Sequence, residues 1–245
     1  MLRSTETFLP EDKAFVKFYL LSPNTPSLMI KANEEKINNT TSGSNGVFPS
    51  TITFPDYAAI IPNSVIKLAI PNLGTRNDSV VLFTNKLTLE AKKFYSLTLA
   101  DTGIDRTLFT ILDENTNPLP ADSFYNIRLI NAMAKSPNLS LIRVDSTTST
   151  SFIRDTIATD IAFKTASKLV AVPVYSKRIT GTTSSFHSFV RYRLFVTTTG
   201  VSIGNLVTPA QSIAINQRNT SIYAVGFLNG TGNLIPQLTN IVYNK

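Results

Sequence analysis

Arginines and aromatic rings share one face of a stretch of this chain: Phe189, Arg191, Arg193 and Phe195 recur at every second position within the run from Phe186 to Val196. An extended backbone sends successive side chains to opposite faces, so these four share one face of a strand and Val190, Tyr192, Leu194 and Val196 share the other. A guanidinium is a planar fork of donors that grips a carboxylate through two hydrogen bonds, and a ring beside it offers a platform on which a sugar can stack. The pattern therefore suggests capture of an acidic glycan. A plainer reading competes with it: arginine stems cover apolar surface while their heads stay in water.

Other chemistries lack their ingredients. His187 is the single histidine and the chain has no cysteine, so the usual zinc sets cannot be assembled. Ser184, Ser185 and Ser188 flank His187, but serines adjacent to the imidazole along one strand do not give the geometry of a catalytic triad, and no Gly-x-Ser-x-Gly elbow is present. Glycosidases need two carboxyl groups facing one sugar. Asp101 and Asp105 flank an expected turn, Asp113 and Glu114 lie in an expected linker, and Asp155 and Asp160 fall in an expected insertion loop, so nothing marks a pair. EF-hand and glycine-rich phosphate motifs are absent, which leaves only scattered loop oxygens for calcium. No catalytic residue, metal or cofactor is expected.

The scaffold that would carry the arginine face can be read from the same alternation. Apolar residues recur with period two and rarely with a helical period, which predicts an all-β chain. Val16, Phe18 and Leu20 share one side of a first strand, and Leu28 with Ile30 begins a second after a turn bearing Pro23 and Pro26. Further runs follow at Ile52 to Phe54, Val65 to Ile70, Val80 to Phe83, Leu87 with Leu89, Leu97 with Leu99, and Leu108 to Leu112. Short strands at this spacing predict a sandwich with one face of each strand in the core and the other toward water. The polar stretch Asn38 to Gly46 reads as a loop, and the proline-bearing stretch Asp113 to Asp122 as a joint.

A weak internal repeat divides the chain. Residues 16–31 align without gaps on 127–142, so that Val16, Lys17, Phe18 and Tyr19 face Ile127, Arg128, Leu129 and Ile130. Leu68 to Pro71 resembles Val170 to Pro173, and the alternation at Leu87 and Leu89 resembles that at Ile213 and Ile215. On that alignment the second copy carries an inserted hairpin near 174–211, which holds the arginine face. With 245 residues, two domains of ordinary size are expected, 1–120 and 121–245.

The net charge of +7 attracts anionic partners. Lysines and arginines occur singly or in pairs, such as Lys92 with Lys93, without the clusters that mark a nucleic-acid footprint, so no nucleic acid is expected. No apolar run is long enough to span a membrane as a helix, and the stretch Met1 to Thr5 lacks the core of a signal peptide.

Arg128, Leu129, Ile130, Asn131 and Ala132 resemble the Arg-x-x-Asn-Ala opening strand of the family called domain of unknown function 4397, whose members are tandem β-sandwich repeats of bacterial envelope proteins. Lys17 to Leu21 keeps the basic start without the Asn-Ala, and Ser22 to Pro26 is similar to the family's proline-bearing turn. Leu89 to Ser96 is similar to its Leu-x-x-Gly-x-x-Tyr-Thr entry, with Lys92 at the glycine. The resemblance implies two tandem immunoglobulin-like antiparallel β-sandwich domains and brings no catalytic residues. It also implies a cell-envelope or surface location, with lipid anchoring through an N-terminal segment missing from this chain. The expected function is non-enzymatic binding, adhesion or display, with a glycan or cell-surface protein as partner. A polysaccharide hydrolase built from loop carboxylates and a purely structural spacer are the alternatives.

Overall fold

The alternating runs become strands in the computed structural model, which describes residues 10–23, 25, 28–37, 57–71, 78–102, 105–113, 124–146, 152–173, 190–203, 208–209, 219–231 and 234–243. The chain divides into two compact units, Met1–Asp113 and Glu114–Lys245. The first contains β1 (Ala14–Leu20), β2 (Met29–Ala32), β3 (Glu35–Lys36), β4 (Ala58–Ile60), β5 (Val65–Pro71), β6 (Asp78–Lys86), β7 (Phe94–Ala100) and β8 (Thr107–Leu112). They form two four-stranded sheets of order β4-β1-β7-β8 and β3-β2-β5-β6, antiparallel throughout except for the central β1–β7 pair. Val16, Phe18, Leu20, Leu97 and Leu99 from one sheet share a core with Ile30, Ile66 and Leu68 from the other, so the unit is a sandwich.

The second unit contains β9 (Phe124–Asn131), β10 (Leu139–Ser146), β11 (Phe152–Ile161), β12 (Val170–Pro173), β13 (Val190–Val196), β14 (Thr208–Pro209), β15 (Asn219–Val225) and β16 (Gln237–Tyr243). Its sheets run β12-β9-β15-β16 and β11-β10-β13-β14, with β9 parallel to β15. Each strand of the first unit has a counterpart in the second in the same place, eight elements later. The registers agree as well. Leu20 pairs with Leu99 and Asn131 with Ala224, and the next amides, Leu21 and Ala132, donate to the Leu99 and Ala224 carbonyls at 2.8 and 2.9 Å. After the parallel strand both units turn through a left-handed residue, Asp101 (φ 68°) in one and Gly226 (φ 99°) in the other. Lys17 lies opposite Ser96, and Arg128 lies opposite Ser221 with its Nε 2.8 Å from the Ser221 Oγ.

These registers retain the gap-free alignment of the first strands and replace the second. Leu68, paired with Ile30, corresponds to Leu194, paired with Leu141. Val170 to Pro173 corresponds instead to β4, because Ile60 pairs with Ala14 as Val172 pairs with Tyr125. The arginine strand β13 is thus the counterpart of β5 and an integral sheet member, which corrects the expectation of an inserted hairpin. The short motif at 68–71 is an apolar alternation ending in proline, a pattern that any strand end can carry, so it does not anchor an alignment.

Three further expectations change. The first two strands lie in opposite sheets, whereas the immunoglobulin order puts them together. Leu87 and Leu89 are buried outside any strand, held by amide bonds to the Ser64 and Pro62 carbonyls. Both faces of the central parallel pairs are buried, as Phe15 and Tyr19 show in β1 and Asn219 to Val225 in β15, so one-sided exposure does not hold there. The Asn38 to Gly46 loop, Ile52 to Phe54, Ile213 and Ile215 lie outside the described residues.

Candidate functional site

The outer face of the β11-β10-β13-β14 sheet carries the arginines. Tyr192, Leu194 and Val196 point into the core of the second unit, which sends Arg191, Arg193 and Phe195 to the opposite face. Arg191 is exposed, and Arg193 and Phe195 are half-buried, while Phe189 lies outside the described residues. Antiparallel register fixes their neighbours in three rows. Arg191 pairs with Val144, which pairs with Arg154; Arg193 pairs with Ile142, which pairs with Thr156; Phe195 pairs with Ser140. The Ser140 Oγ is 3.2 Å from the Thr159 Oγ1 and 2.8 Å from the Thr197 Oγ1, a hydroxyl ladder across the end of the face. A bulge near Leu141 turns both Ile157 and Ala158 inward and keeps Arg154 and Thr156 outward.

These rows contain three guanidiniums and no carboxylate. Among the described residues Arg154, Arg191 and Arg193 make no ion pair. Val144 is 5 % exposed despite its outward position, as expected if flanking stems cover it. Sequence alone does not single out Arg154, because its strand reads there as part of a loop. Alternation through Ile153, Asp155 and Ile157 is the available signal, and the bulge interrupts it.

A second polar cluster lies inside the same unit. Tyr125 on β9 and Tyr192 on β13 join their hydroxyls across the core, and Arg143 on β10 is beside them, 1 % exposed and in register with Asp155 on β11. Burial pushes the Tyr192 hydroxyl well above the usual tyrosine range, and the Tyr125 charge and hydrogen bond push it the same way. Tyr125 is raised chiefly by burial, against the opposing influence of the Tyr192 hydrogen bond and the Arg143 charge. Both phenols are therefore protonated at neutral pH. Such a pair bridges the sheets and is poorly suited to act as a base.

The first unit has a cleft of about 160 Å³ at the corresponding end, with Lys13, Asn33, Glu35 and Ser64 among its polar walls and Ala32 and Ile60 among its apolar ones. Asn33 and Ser64 satisfy each other, with Asn33 Nδ2 donating to the Ser64 Oγ at 3.2 Å and Asn33 Oδ1 accepting from the Val65 amide at 2.8 Å.

The acids are dispersed. Asp113, expected in a solvated linker, is 3 % exposed at the end of β8, where its carboxylate accepts from Ser96 Oγ and from the Tyr57 hydroxyl at 2.8 and 2.9 Å. Asp155 and Asp160 lie on β11 and not in an insertion loop. Among the described residues no three histidine, cysteine or acidic side chains gather to hold a metal. Asn131 anchors the turn that follows β9, accepting from the Met133 amide at 3.0 Å and donating to the Ile161 carbonyl at 3.0 Å. His187 and its neighbouring serines lie outside the described residues. No protein-family model and no curated protein matches the chain.

Proposed function

We propose that this chain is a non-enzymatic binding and display protein built from two tandem sandwich domains, and that it works at the cell envelope or surface of a bacterium. The binding surface is the outer face of β11-β10-β13-β14, with Arg191, Arg193 and Phe195 as contact residues. One observation carries the reading: a solvent-facing sheet surface gathers cations that have no carboxylate among its rows to neutralise them. Proteins ordinarily intersperse charges of both signs, so an unneutralised set suits an external anion.

The location draws on the resemblance to the domain of unknown function 4397 family. Two local features agree with that resemblance. Lys92 has φ 63°, a conformation that favours the glycine of the family motif, and Tyr95 packs in the core with its hydroxyl accepting from the Glu90 amide at 3.1 Å. The domains are immunoglobulin-like in being two-sheet sandwiches and differ in strand order, since their first two strands lie in opposite sheets. A glycan-array screen with the full chain tests the proposal. Selective retention on acidic glycans, lost in the R191A/R193A double variant, is expected; retention unaffected by that variant would remove this face from the mechanism.

A further inference from the structure

If the arginine face is the binding surface proposed above, its geometry also constrains the ligand. Neighbouring strands are about 4.8 Å apart and same-face residues along a strand about 6.7 Å apart. Arg154 and Arg191 therefore rise from backbone positions roughly 10 Å apart with Val144 between them, and Arg193 follows one same-face step beyond Arg191. A ligand with a single carboxylate can satisfy one fork and leaves two cations facing each other. A chain with repeated acidic groups can satisfy all three, and its gain grows with each fork engaged.

We propose that Arg154, Arg191 and Arg193 bind a linear acidic polysaccharide that carries carboxylates or sulfates on successive sugars. The half-buried Ile142 and Phe195 supply apolar surface for the C–H faces of sugar rings, and Thr156 supplies a hydroxyl beside them. Nucleic acid fits this surface less well. Three cations neutralise few phosphates, and among the described residues of these rows Phe195 is the one ring on which a base could stack.

The test is equilibrium binding of the full chain to polygalacturonate and to heparin oligosaccharides, with dextran and single-stranded DNA as comparators. The acidic polysaccharides are expected to bind and dextran is not. R154A, R191A and R193A should each weaken binding roughly three- to tenfold, R191K should weaken it less than R191A, and the triple variant should lose it. The slope of log K against log salt should be about −2 to −3 for three contacts. Thermal melts matching the parent establish that the variants fold.

Equal binding of dextran, abolished by the same variants, would overturn the acidic-ligand assignment and leave the binding face intact. Tighter binding of DNA would overturn it in favour of nucleic acid. Acidic polysaccharide bound undiminished by a folded triple variant would overturn the role of this face, and failure of every glycan to bind would overturn this assignment together with the function it rests on.

Discussion

Arg143 stands in the second unit at the position that Ala32 occupies in the first. Ala32 pairs with Ile66 and Arg143 pairs with Tyr192, in otherwise equivalent registers. Across the core Ala14 corresponds to Tyr125, since they pair with Ile60 and Val172. One end of a shared scaffold is thus filled by two alanines and an isoleucine in one copy and by two tyrosines and an arginine in the other. Small side chains accompany the cleft of the first unit, and large, fully buried polar ones occupy the corresponding positions of the second.

Shortening Arg143 to Ala should destabilise the second unit by about 2 to 4 kcal/mol, through the packing lost when a fully buried side chain is truncated. Arg143→Met fills most of the volume and should cost less. Urea unfolding of both variants checks this, and an Arg143→Ala midpoint equal to the parent's would mean that the side chain packs nothing.

Alkaline pH should loosen the same region. The folded-state values of Tyr125 and Tyr192 are raised, so the native state holds their protons more tightly than the unfolded chain does. Their contribution is fully present below about pH 10, the ordinary tyrosine value, and is lost as pH rises through the folded values. Ultraviolet titration of tyrosinate should show exposed tyrosines ionising first and this pair ionising late, with unfolding. The Y125F/Y192F double variant should shrink the late component by two tyrosines, leaving the part that comes from other buried tyrosines such as Tyr19 and Tyr223.

The left-handed positions after β7 and β15 should respond unequally to substitution. A Cβ on Gly226 would fall 2.4 Å from the Ile235 carbonyl oxygen, and φ there is 99°. Gly226→Ala should therefore cost more than about 2 kcal/mol. Asp101 already carries a side chain whose Oδ1 accepts from the Thr102 amide at 2.7 Å, so Asp101→Gly should change stability by less than about 1 kcal/mol. Paired thermal melts decide, and similar effects at both sites would contradict the geometry.

Lys92→Gly should stabilise the first unit by up to about 1 kcal/mol, because glycine relieves the left-handed backbone while adding freedom to the unfolded chain. The exposed Lys92–Glu11 pair that it removes is screened by solvent and weighs little. A lowered denaturation midpoint would count against the strain argument.

Replacing Asp113 by Ala should cost about 1 to 3 kcal/mol, since Ser96 and Tyr57 lose their acceptor. Asp113→Asn, which keeps an acceptor oxygen, should recover part of the loss in the same unfolding assay.

Period-two alternation is enough to give the all-β class, the inward set Tyr192, Leu194 and Val196, and the outward set Arg191, Arg193 and Phe195, because a strand's two faces follow from covalent geometry alone. The gap-free match of Val16 to Tyr19 with Ile127 to Ile130 likewise survives, since strands in the same place face the same neighbours. What alternation cannot carry is which strand pairs with which. Pairing joins residues far apart in the chain, so only the tertiary structure made β13 the counterpart of β5, brought Arg154 into the row of Arg191, buried Asp113, and set Tyr125 against Tyr192 across the core. Those relationships depend on hydrogen-bond register and on closure of two sheets over one core, and no local stretch of sequence encodes either.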